Sequence, residues 1–276
     1  MTWFLLWKLL DPSGSYDLYQ GVTYKHVDSR TFTADIYVPR DAGPPPPVVL
    51  LVHGGMWSFG KKTDNADLAG FLAQEGIGSV LIDFRTAKGD GFYDQVADVK
   101  DAIRWVHAHA ADYGLDPERV GIFGSSSGGH LAALAAYAEP EDFGADPPGT
   151  SSAVQACFLL YGAYDITGLA ENGALPDVVE WYVGADVASH PETFSYYSPA
   201  DHIDGSEPPS LIMHGKGDMV IPIEQAEDLA ARLEGVGVPV EFVPVDVLGH
   251  GFARKQRWPR PWVADIMAGF FRDAMK

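Results

Sequence analysis

The sequence predicts one α/β domain built on a mostly parallel β-sheet with helices on both faces. Short apolar, β-branched runs alternate along the chain with longer helix-forming stretches, an order that produces parallel strands joined by helices. The chain has 276 residues, of which 46% are hydrophobic, so it can bury a sizeable core. Because Pro44–Pro47 is too short for a flexible tether and nothing else separates two halves, we expect residues 1–276 to form a single domain.

A β-hairpin precedes the alternating part of the chain. Its strands are predicted at Val22–Val27 and Ala34–Val38, joined near Asp28–Arg30. Buried strands are then expected at Val48–Val52, Ser79–Phe84, Arg119–Phe123, Val154–Tyr161, Ser210–His214 and Val240–Val245. Helices are expected at Asp64–Gln74, Tyr93–Ala111, Ser127–Ala138, Ile223–Glu234 and Trp262–Ala274. Since ligands bind at the carboxyl ends of parallel strands, functional residues should follow the strands directly.

Two segments fall outside this alternation. Residues 163–209 are aromatic and broken by Gly and Pro, which predicts a small cap or lid over the carboxyl edge of the sheet. Residues 1–20 form an N-terminal segment in which Met1–Leu10 is apolar. This run is too short to span a bilayer and has neither the cationic start nor the cleavage site of a secretory signal, so we expect a cytoplasmic protein without a stable membrane span. A lid, a membrane contact and a docked helix all remain open for it.

Composition restricts the partners and cofactors. The formal net charge of −19 repels phosphate-rich surfaces and argues against nucleic-acid binding, although it does not say whether the acidity reflects a saline habitat. The single cysteine, Cys157, lies in an apolar run and is expected to be a buried thiol. No Cys/His cluster has zinc-ligand spacing, so the sequence gives no sign of a zinc site. The oligomeric state stays open, with a homodimer among the alternatives.

The run Gly124-Ser125-Ser126-Ser127-Gly128 predicts a serine nucleophile on a sharp strand-to-helix turn. It falls between a predicted strand and a predicted helix, which is the order that such a turn requires. Glycines on both sides are needed because a nucleophile elbow brings its backbone close to neighbouring elements. An ordinary Gly/Ser-rich turn before a helix is the alternative.

A serine hydroxyl needs an imidazole to take its proton and a carboxylate to orient that imidazole. His250 is the preferred base because it follows the last predicted strand and has glycine on both sides. Asp218, on the loop after the Ser210–His214 strand, is the preferred acid. The competing residues are His53, His130 and His214 for the base, and Asp165 and Asp246 for the acid.

Acyl transfer also needs hydrogen-bond donors for the oxyanion that forms on the carbonyl oxygen. The segment His53-Gly54-Gly55-Met56-Trp57 follows a predicted strand and can supply backbone N–H groups. We assign this role to the N–H groups of Gly55, Met56 and Ser127, with a simple turn as the alternative reading of the two glycines. The aromatic side chains of Trp57 and Trp181 are candidate substrate contacts, with packing of the cap as the alternative.

The segments HGGMW, GSSSGGH, HGKGDMVIP and LGHGF, in this order, resemble the α/β-hydrolase serine esterases with an HGG oxyanion motif. These include the hormone-sensitive-lipase-like and the feruloyl and acetyl-xylan esterase-like groups. The resemblance implies an eight-stranded sheet, a catalytic Ser126, Asp218 and His250, and ester hydrolysis without a cofactor. Two departures concern the substrate class: Met56 stands where the lipase-like group has a third glycine, and Asp83-Phe84-Arg85-Thr86-Ala87 replaces a Tyr-Arg-Leu-Ala-Pro-like segment.

The sequence therefore favours a serine carboxylesterase that hydrolyses small or medium esters through an acyl-enzyme. An amide hydrolase with the same catalytic residues, either arylformamidase-like or peptidase-like, is the first alternative. A ligand-binding member without turnover is the second, and it is less favoured because both nucleophile and base candidates are present.

Overall fold

A computed structural model of the protein describes residues 14–40, 43–86, 91–139, 141–172, 175–252 and 260–276. The eight strands form one sheet in the order β1-β2-β4-β3-β5-β6-β7-β8. The strands are β1 (Tyr16–Val27), β2 (Arg30–Pro39), β3 (Val48–Val52), β4 (Gly78–Ile82), β5 (Val120–Ser125), β6 (Ala156–Leu160), β7 (Ser210–Gly215) and β8 (Val240–Val245). The β1/β2 and β2/β4 pairs are antiparallel and the remaining pairs are parallel. The predicted fold class is therefore confirmed.

Helices separate the strands of the parallel part. They are α1 (Ala66–Gln74), α2 (Phe92–His109), α3 (Ser127–Tyr137), α4 (Ile166–Asn172), α5 (Pro176–Val183), α6 (Pro191–Tyr196), α7 (Glu224–Gly235) and α8 (Arg260–Ala274). Short 3₁₀ turns occupy Lys62–Asn65, Ala110–Tyr113 and Pro199–His202. The helices α4 to α6 and the last 3₁₀ turn all lie within residues 163–209, the segment predicted as a cap.

The hydrophobic core covers both faces of the sheet. On one face, α2, α3 and α7 pack against the central strands through residues such as Phe92, Leu131 and Leu229. On the other face, α1 and α8 pack through residues such as Leu72 and Phe271. The short central strands β3 to β7 are buried along their whole length, as expected for strands covered by helices on both sides.

Three expectations about the elements need correction. The N-terminal segment predicted for residues 1–20 ends earlier, because β1 begins at Tyr16 and pairs with β2 from Pro39 onward. The apolar run Met1–Leu10 lies outside the described residues. Val240–Val245 was expected to be buried, but β8 is only partly buried because it lies at the sheet edge and pairs with β7 alone. Two predicted helices also end differently. The helix expected at Asp64–Gln74 begins with a 3₁₀ turn, and the helix expected at Tyr93–Ala111 ends in one.

The order of the strands places several loops at one edge of the sheet. The carboxyl ends of β3, β5, β6, β7 and β8 point the same way because these strands are parallel. The segments that follow them carry the HGGMW motif, the serine run and the candidate acid and base. Within the described residues, no helix is long and apolar enough to cross a membrane.

Candidate active site

Ser126 lies in a strained turn between β5 and α3. Its backbone has φ 56° and ψ −129°, a region that residues with a side chain rarely adopt. The Ser126 N–H donates to Leu160 O at 2.9 Å, and the Ser126 carbonyl accepts from the N–H of Gly129 at 2.8 Å. These bonds to β6 and to the first turn of α3 hold the serine in a conformation that the isolated chain would avoid.

The two glycines around Ser126 are required by close backbone contacts. A Cβ added at Gly124 would lie 2.1 Å from the carbonyl oxygen of Gly128. A Cβ added at Gly128 would lie 2.4 Å from His53 O and 2.5 Å from Val52 O. Because these neighbours are main-chain atoms of β3, of the loop that follows it and of α3, they cannot move aside for a side chain. The structure therefore explains the Gly-x-Ser-x-Gly pattern as a packing requirement.

Ser126, His250 and Asp218 form one continuous hydrogen-bond chain. The Oγ of Ser126 lies 2.9 Å from Nε2 of His250, and Nδ1 of His250 lies 2.7 Å from Oδ2 of Asp218. A carboxylate only accepts, so the imidazole proton sits on Nδ1 and leaves Nε2 free to accept from the serine hydroxyl. The structure thus brings the three residues together in the geometry that an activated serine requires.

The side chain of Asp218 is buried, and both of its oxygens have hydrogen-bond partners. Its Oδ1 accepts from the N–H groups of Val220 at 2.9 Å and Ile221 at 3.0 Å. His214, also buried, points its Nε2 at Asp218 Oδ2, 3.3 Å away, and at Ile221 O, 2.9 Å away. Burial raises the pKa of a carboxyl group, but the hydrogen bonds from His214 and His250 outweigh it and hold the pKa of Asp218 well below its usual range. Asp218 is therefore ionised throughout the neutral pH range.

The competing acids have other structural roles. Asp165 Oδ1 accepts from Gly168 N at 2.8 Å, which caps the start of α4. Asp246 is exposed and forms an ion pair with Lys216 at 2.7 Å. Neither carboxylate has a hydrogen bond to His250 among the described residues.

The competing histidines also lie away from the serine hydroxyl. His53 stacks on Phe84, with ring centroids 4.4 Å apart. His130 accepts a hydrogen bond from Trp57 and contacts the carbonyl of Tyr197. Burial lowers the pKa of His130 to about 4, although the hydrogen bond to Tyr197 opposes this shift. His214 contacts the carboxylate of Asp218 and helps to hold it in place. The sequence analysis missed this role, although both residues belong to the single segment HGKGD, which could have indicated it.

The HGGMW loop packs directly beside the nucleophile. A Cβ added at Gly54 would lie 3.0 Å from Ser126 Cβ, so glycine is needed for this close approach. Gly55, Met56 and Trp57 follow with φ values of 141°, 51° and 56°. The loop is closed by the N–H groups of Ser58 and Phe59, which both donate to Gly55 O at 3.2 and 2.8 Å.

The N–H groups predicted to form the oxyanion hole are available for an incoming atom. Among the residues that the structure describes, none accepts a hydrogen bond from the N–H of Gly55, Met56 or Ser127. Gly55 and Met56 lie on the loop beside Ser126, and Ser127 opens α3 directly after it. The first N–H groups of a helix have no partner within it, so the Ser127 N–H, like those of Gly55 and Met56, is free to bind a ligand oxygen.

The two tryptophans predicted to contact substrate occupy different environments. Trp57 is only 3% exposed, and its ring packs among Phe92, His130 and Tyr182 in the core. Its prediction as a substrate contact is therefore wrong, because the side chain turns away from the loop surface into the protein. Trp181 on α5 is half exposed and packs edge-on against Tyr182, so its role as a substrate contact stays a prediction.

Exposed apolar side chains lie on the loops that carry the site, a feature that the sequence analysis did not identify. Met56 and Phe59 follow Gly55, Met219 follows Asp218, and Val247 lies three residues before His250. Their exposed fractions are 40%, 68%, 88% and 92%. The edge of the sheet that holds Ser126 is therefore bordered by apolar groups. Among the described residues, no group of three or more His, Cys, Asp or Glu side chains could hold a metal ion.

The fold and the serine, histidine and aspartate geometry at its carboxyl edge define the α/β-hydrolase class. The BD-FAE family model matches residues 34–233, and the chain belongs to this family of α/β-hydrolase esterases. The matched range includes the HGGMW loop, Ser126 and Asp218 and ends before His250.

Relatives and solved structures agree with this assignment. The chain is 33% identical over 213 residues to a probable carboxylic ester hydrolase, LipM, of Mycobacterium tuberculosis, an alignment that covers 75% of this chain and 49% of LipM. The chain spans about half the length of the curated relatives it matches. A truncated carbohydrate esterase from gut microbiota has a TM-score of 0.83 at 25% identity and covers 95% of this chain and 98% of its own. The propionate-bound esterase Est2 of Thermogutta terrifontis has a TM-score of 0.80 at 25% identity, with 94% coverage of both chains.

Proposed function

We propose that this protein is a serine carboxylesterase that hydrolyses small or medium esters through an acyl-enzyme. The single observation that carries the proposal is the hydrogen-bond chain from Ser126 through His250 to Asp218. The names of the relatives support ester hydrolysis, which disfavours the amide-hydrolase alternative.

In the first half of the reaction, the Ser126 Oγ attacks the ester carbonyl while its proton moves to Nε2 of His250. Asp218 stabilises the resulting imidazolium and keeps its orientation. The negative charge on the former carbonyl oxygen is bound by the N–H groups of Gly55, Met56 and Ser127. When the tetrahedral intermediate collapses, the C–O bond to the alcohol breaks and His250 returns the proton to the leaving oxygen.

In the second half, water takes the place of the alcohol. His250 removes a proton from the water as it attacks the acyl group on Ser126, and a second oxyanion forms in the same position. Collapse of this intermediate breaks the acyl–Oγ bond and returns the proton to Ser126. The carboxylic acid leaves, and the cycle needs no group beyond these residues and water.

The proposed substrate class is an ester with a short acyl group. Met56 supports this choice because its side chain stands where a glycine would leave the loop open, and 40% of it is exposed beside the donor groups. The propionate in the Thermogutta terrifontis esterase structure, a short acid, also supports it. A panel of p-nitrophenyl esters from acetate to decanoate tests the proposal, with activity expected to peak at the short end.

The three adjacent serines offer a direct test of the nucleophile. Ser126→Ala should abolish hydrolysis of p-nitrophenyl acetate, whereas Ser125→Ala should retain it because Ser125 ends β5 and the described hydrogen bond of His250 Nε2 goes to Ser126 instead. Circular dichroism of both variants would check that they fold. Hydrolysis by folded Ser126→Ala at the parental rate would overturn the proposal.

The cytoplasmic location, the absence of a nucleic-acid partner and the homodimer alternative stay predictions. Size-exclusion chromatography with light scattering would give the oligomeric state.

A further inference from the structure

The HGGMW loop is joined to the cap by hydrogen bonds that the catalytic chain does not use. Trp57 Nε1–H donates to Nδ1 of His130 at 3.0 Å, and Nε2 of His130 lies 2.8 Å from the carbonyl oxygen of Tyr197. Tyr197 directly follows the cap helix α6, and His130 lies on α3, one turn after Ser126. Three parts of the site are thereby connected through one buried imidazole.

The protonation state of His130 follows from its two neighbours. An indole N–H can only donate, so Nδ1 of His130 must carry no proton. A backbone carbonyl can only accept, so the proton sits on Nε2 and points at Tyr197. His130 is completely buried, which favours this neutral form. The imidazole is thus occupied on both nitrogens and acts as a fixed link rather than a base.

Two further hydrogen bonds hold the same loop. Gln95 on α2 donates through Nε2 to the carbonyl oxygen of Trp57 at 2.7 Å, and the hydroxyl groups of Ser58 and Tyr182 are hydrogen-bonded to each other. Tyr182 belongs to the cap helix α5. Residues 57 and 58 are therefore attached to the cap by one bond through His130 and by one bond made directly.

These bonds act where the loop backbone is strained. Met56 and Trp57 both have positive φ, a conformation that a residue with a side chain keeps only when its surroundings impose it. The Met56 N–H is also one of the proposed oxyanion donors. A donor in an oxyanion hole stabilises the transition state because it already points at the site where the negative charge develops. Interactions that hold this backbone in place should therefore increase the rate of catalysis.

We propose that Trp57, His130 and Tyr182 are positioning residues that hold the Gly55 and Met56 N–H groups in the oxyanion-binding orientation. This inference rests on the proposed function, because it assigns a role within the same site. It also gives the buried Trp57 a function other than substrate contact: the tryptophan anchors the loop to α3 and, through His130, to the cap.

The central test compares two replacements of His130. His130→Leu removes both bonds, whereas His130→Gln keeps an acceptor for Trp57 and a donor for Tyr197. With active sites counted by fluorophosphonate titration, we expect kcat for p-nitrophenyl acetate to fall roughly ten- to a hundredfold in His130→Leu, with KM within about twofold. His130→Gln should recover most of the parental kcat.

A second readout reports directly on the oxyanion site. A trifluoromethyl ketone adds to Ser126: the Oγ–C bond forms, the hydroxyl proton moves to His250, and the ketone oxygen becomes an oxyanion held by the same N–H groups. Its inhibition constant should rise in His130→Leu by about the factor by which kcat falls. Tyr137→Phe is the matched control because it removes another buried hydrogen bond of α3, to Ser210, far from the loop.

Milder variants keep the proposal falsifiable where His130→Leu does not fold. Trp57→Phe removes the indole N–H and Tyr182→Phe removes the hydroxyl that bonds to Ser58, and both keep a ring. Each should lower kcat and raise the trifluoromethyl ketone inhibition constant together. Tyr196→Phe, whose hydroxyl bonds to Asp142 O instead of the loop, should change neither. If the loop variants lose thermal stability while both constants stay at the parental values, the residues are merely structural and the inference is overturned. If Ser126→Ala is still active, the proposed function itself fails.

Discussion

Replacing Asp218 by asparagine changes one carboxylate oxygen to an NH₂ group, so a hydrogen-bond donor replaces the acceptor that faces His250. Oδ1 of Asp218 accepts two backbone N–H groups, from Val220 and Ile221, so the amide oxygen must take that place. The NH₂ group then faces Nδ1–H of His250, where the carboxylate accepted at 2.7 Å. Two donors cannot share this bond.

His250 avoids placing two donors face to face by adopting the tautomer that carries its proton on Nε2. Nδ1 can then accept from the asparagine, but Nε2 can no longer accept from Ser126 Oγ, 2.9 Å away. In serine proteases the same change lowers kcat about 10,000-fold because it fixes the wrong tautomer. We expect a loss of similar size here, equivalent to about 5.5 kcal/mol of transition-state stabilisation.

The assay is saturation kinetics with p-nitrophenyl acetate, with near-ultraviolet circular dichroism to confirm packing. Asp246→Asn is the matched control, since Asp246 lies four residues before His250 but pairs with Lys216 on the surface. Asp165→Asn is the second control. An Asp218→Asn enzyme within about tenfold of the parent, or a large loss in Asp246→Asn, would refute the assignment of Asp218 as the orienting acid.

Further predictions concern stability and specificity. Gly128→Ala should destabilise the fold by about 3 kcal/mol or more, because its Cβ would lie 2.4 Å from His53 O, whereas Gly269→Ala in α8, with open space around its Cβ, should stabilise it by about 0.5–1 kcal/mol. The pKa of His130 is lowered to about 4 from its ordinary 6.5, so between these pH values the unfolded chain binds a proton that the folded protein does not. The neutral His130 therefore contributes about 3 kcal/mol to the free energy of unfolding above pH 6.5, and this contribution is lost as pH falls towards 4. Met56→Gly should keep turnover of acetate esters, since glycine adopts its φ of 51° without strain, and should shift the acyl preference to longer chains.

Each of these predictions has a clear contrary outcome. Urea unfolding would contradict the first if Gly128→Ala were as stable as Gly269→Ala. The second fails if His130→Gln shows the same loss of unfolding free energy between pH 6.5 and 4 as the parent. An unchanged chain-length profile in Met56→Gly would remove Met56 as a determinant of acyl length.

The order of strands and helices could be read from the sequence because each central strand is a short apolar run between turn residues. Val48–Val52 and Val240–Val245 were located with the bounds that the structure has. The expected burial of Val240–Val245 was wrong, because the periodicity of the sequence does not reveal which strand lies at the sheet edge. Tyr16–Gly21 was missed as part of β1, since Asp17, Gln20 and Gly21 interrupt any apolar run there.

The predicted nucleophile, base and acid meet in space because parallel strands end at the same edge of the sheet. Ser126, Asp218 and His250 each follow a strand directly, so local patterns were sufficient to locate them. The supporting residues depend on tertiary contacts. His214 and His130 looked like competing bases, and only the fold shows that one supports Asp218 and the other links Trp57 to Tyr197.

The sequence also could not predict the direction in which the Trp57 side chain points. Trp57 follows Met56 in the loop, and a substrate contact was a reasonable interpretation of an aromatic group at that position. The positive φ values of Met56 and Trp57 turn the loop sharply, and the indole enters the core beside Phe92. A backbone conformation that residues with side chains rarely adopt cannot be anticipated from their identity.

Mass spectrometry of the protein after reaction with a fluorophosphonate tests the central claim most directly. The serine oxygen displaces fluoride and forms a stable bond to phosphorus, so each active molecule gains one adduct. The account predicts a single adduct that peptide mapping assigns to Ser126, and none in Ser126→Ala. A folded protein that stays unmodified, or an adduct on Ser125 instead, would contradict it.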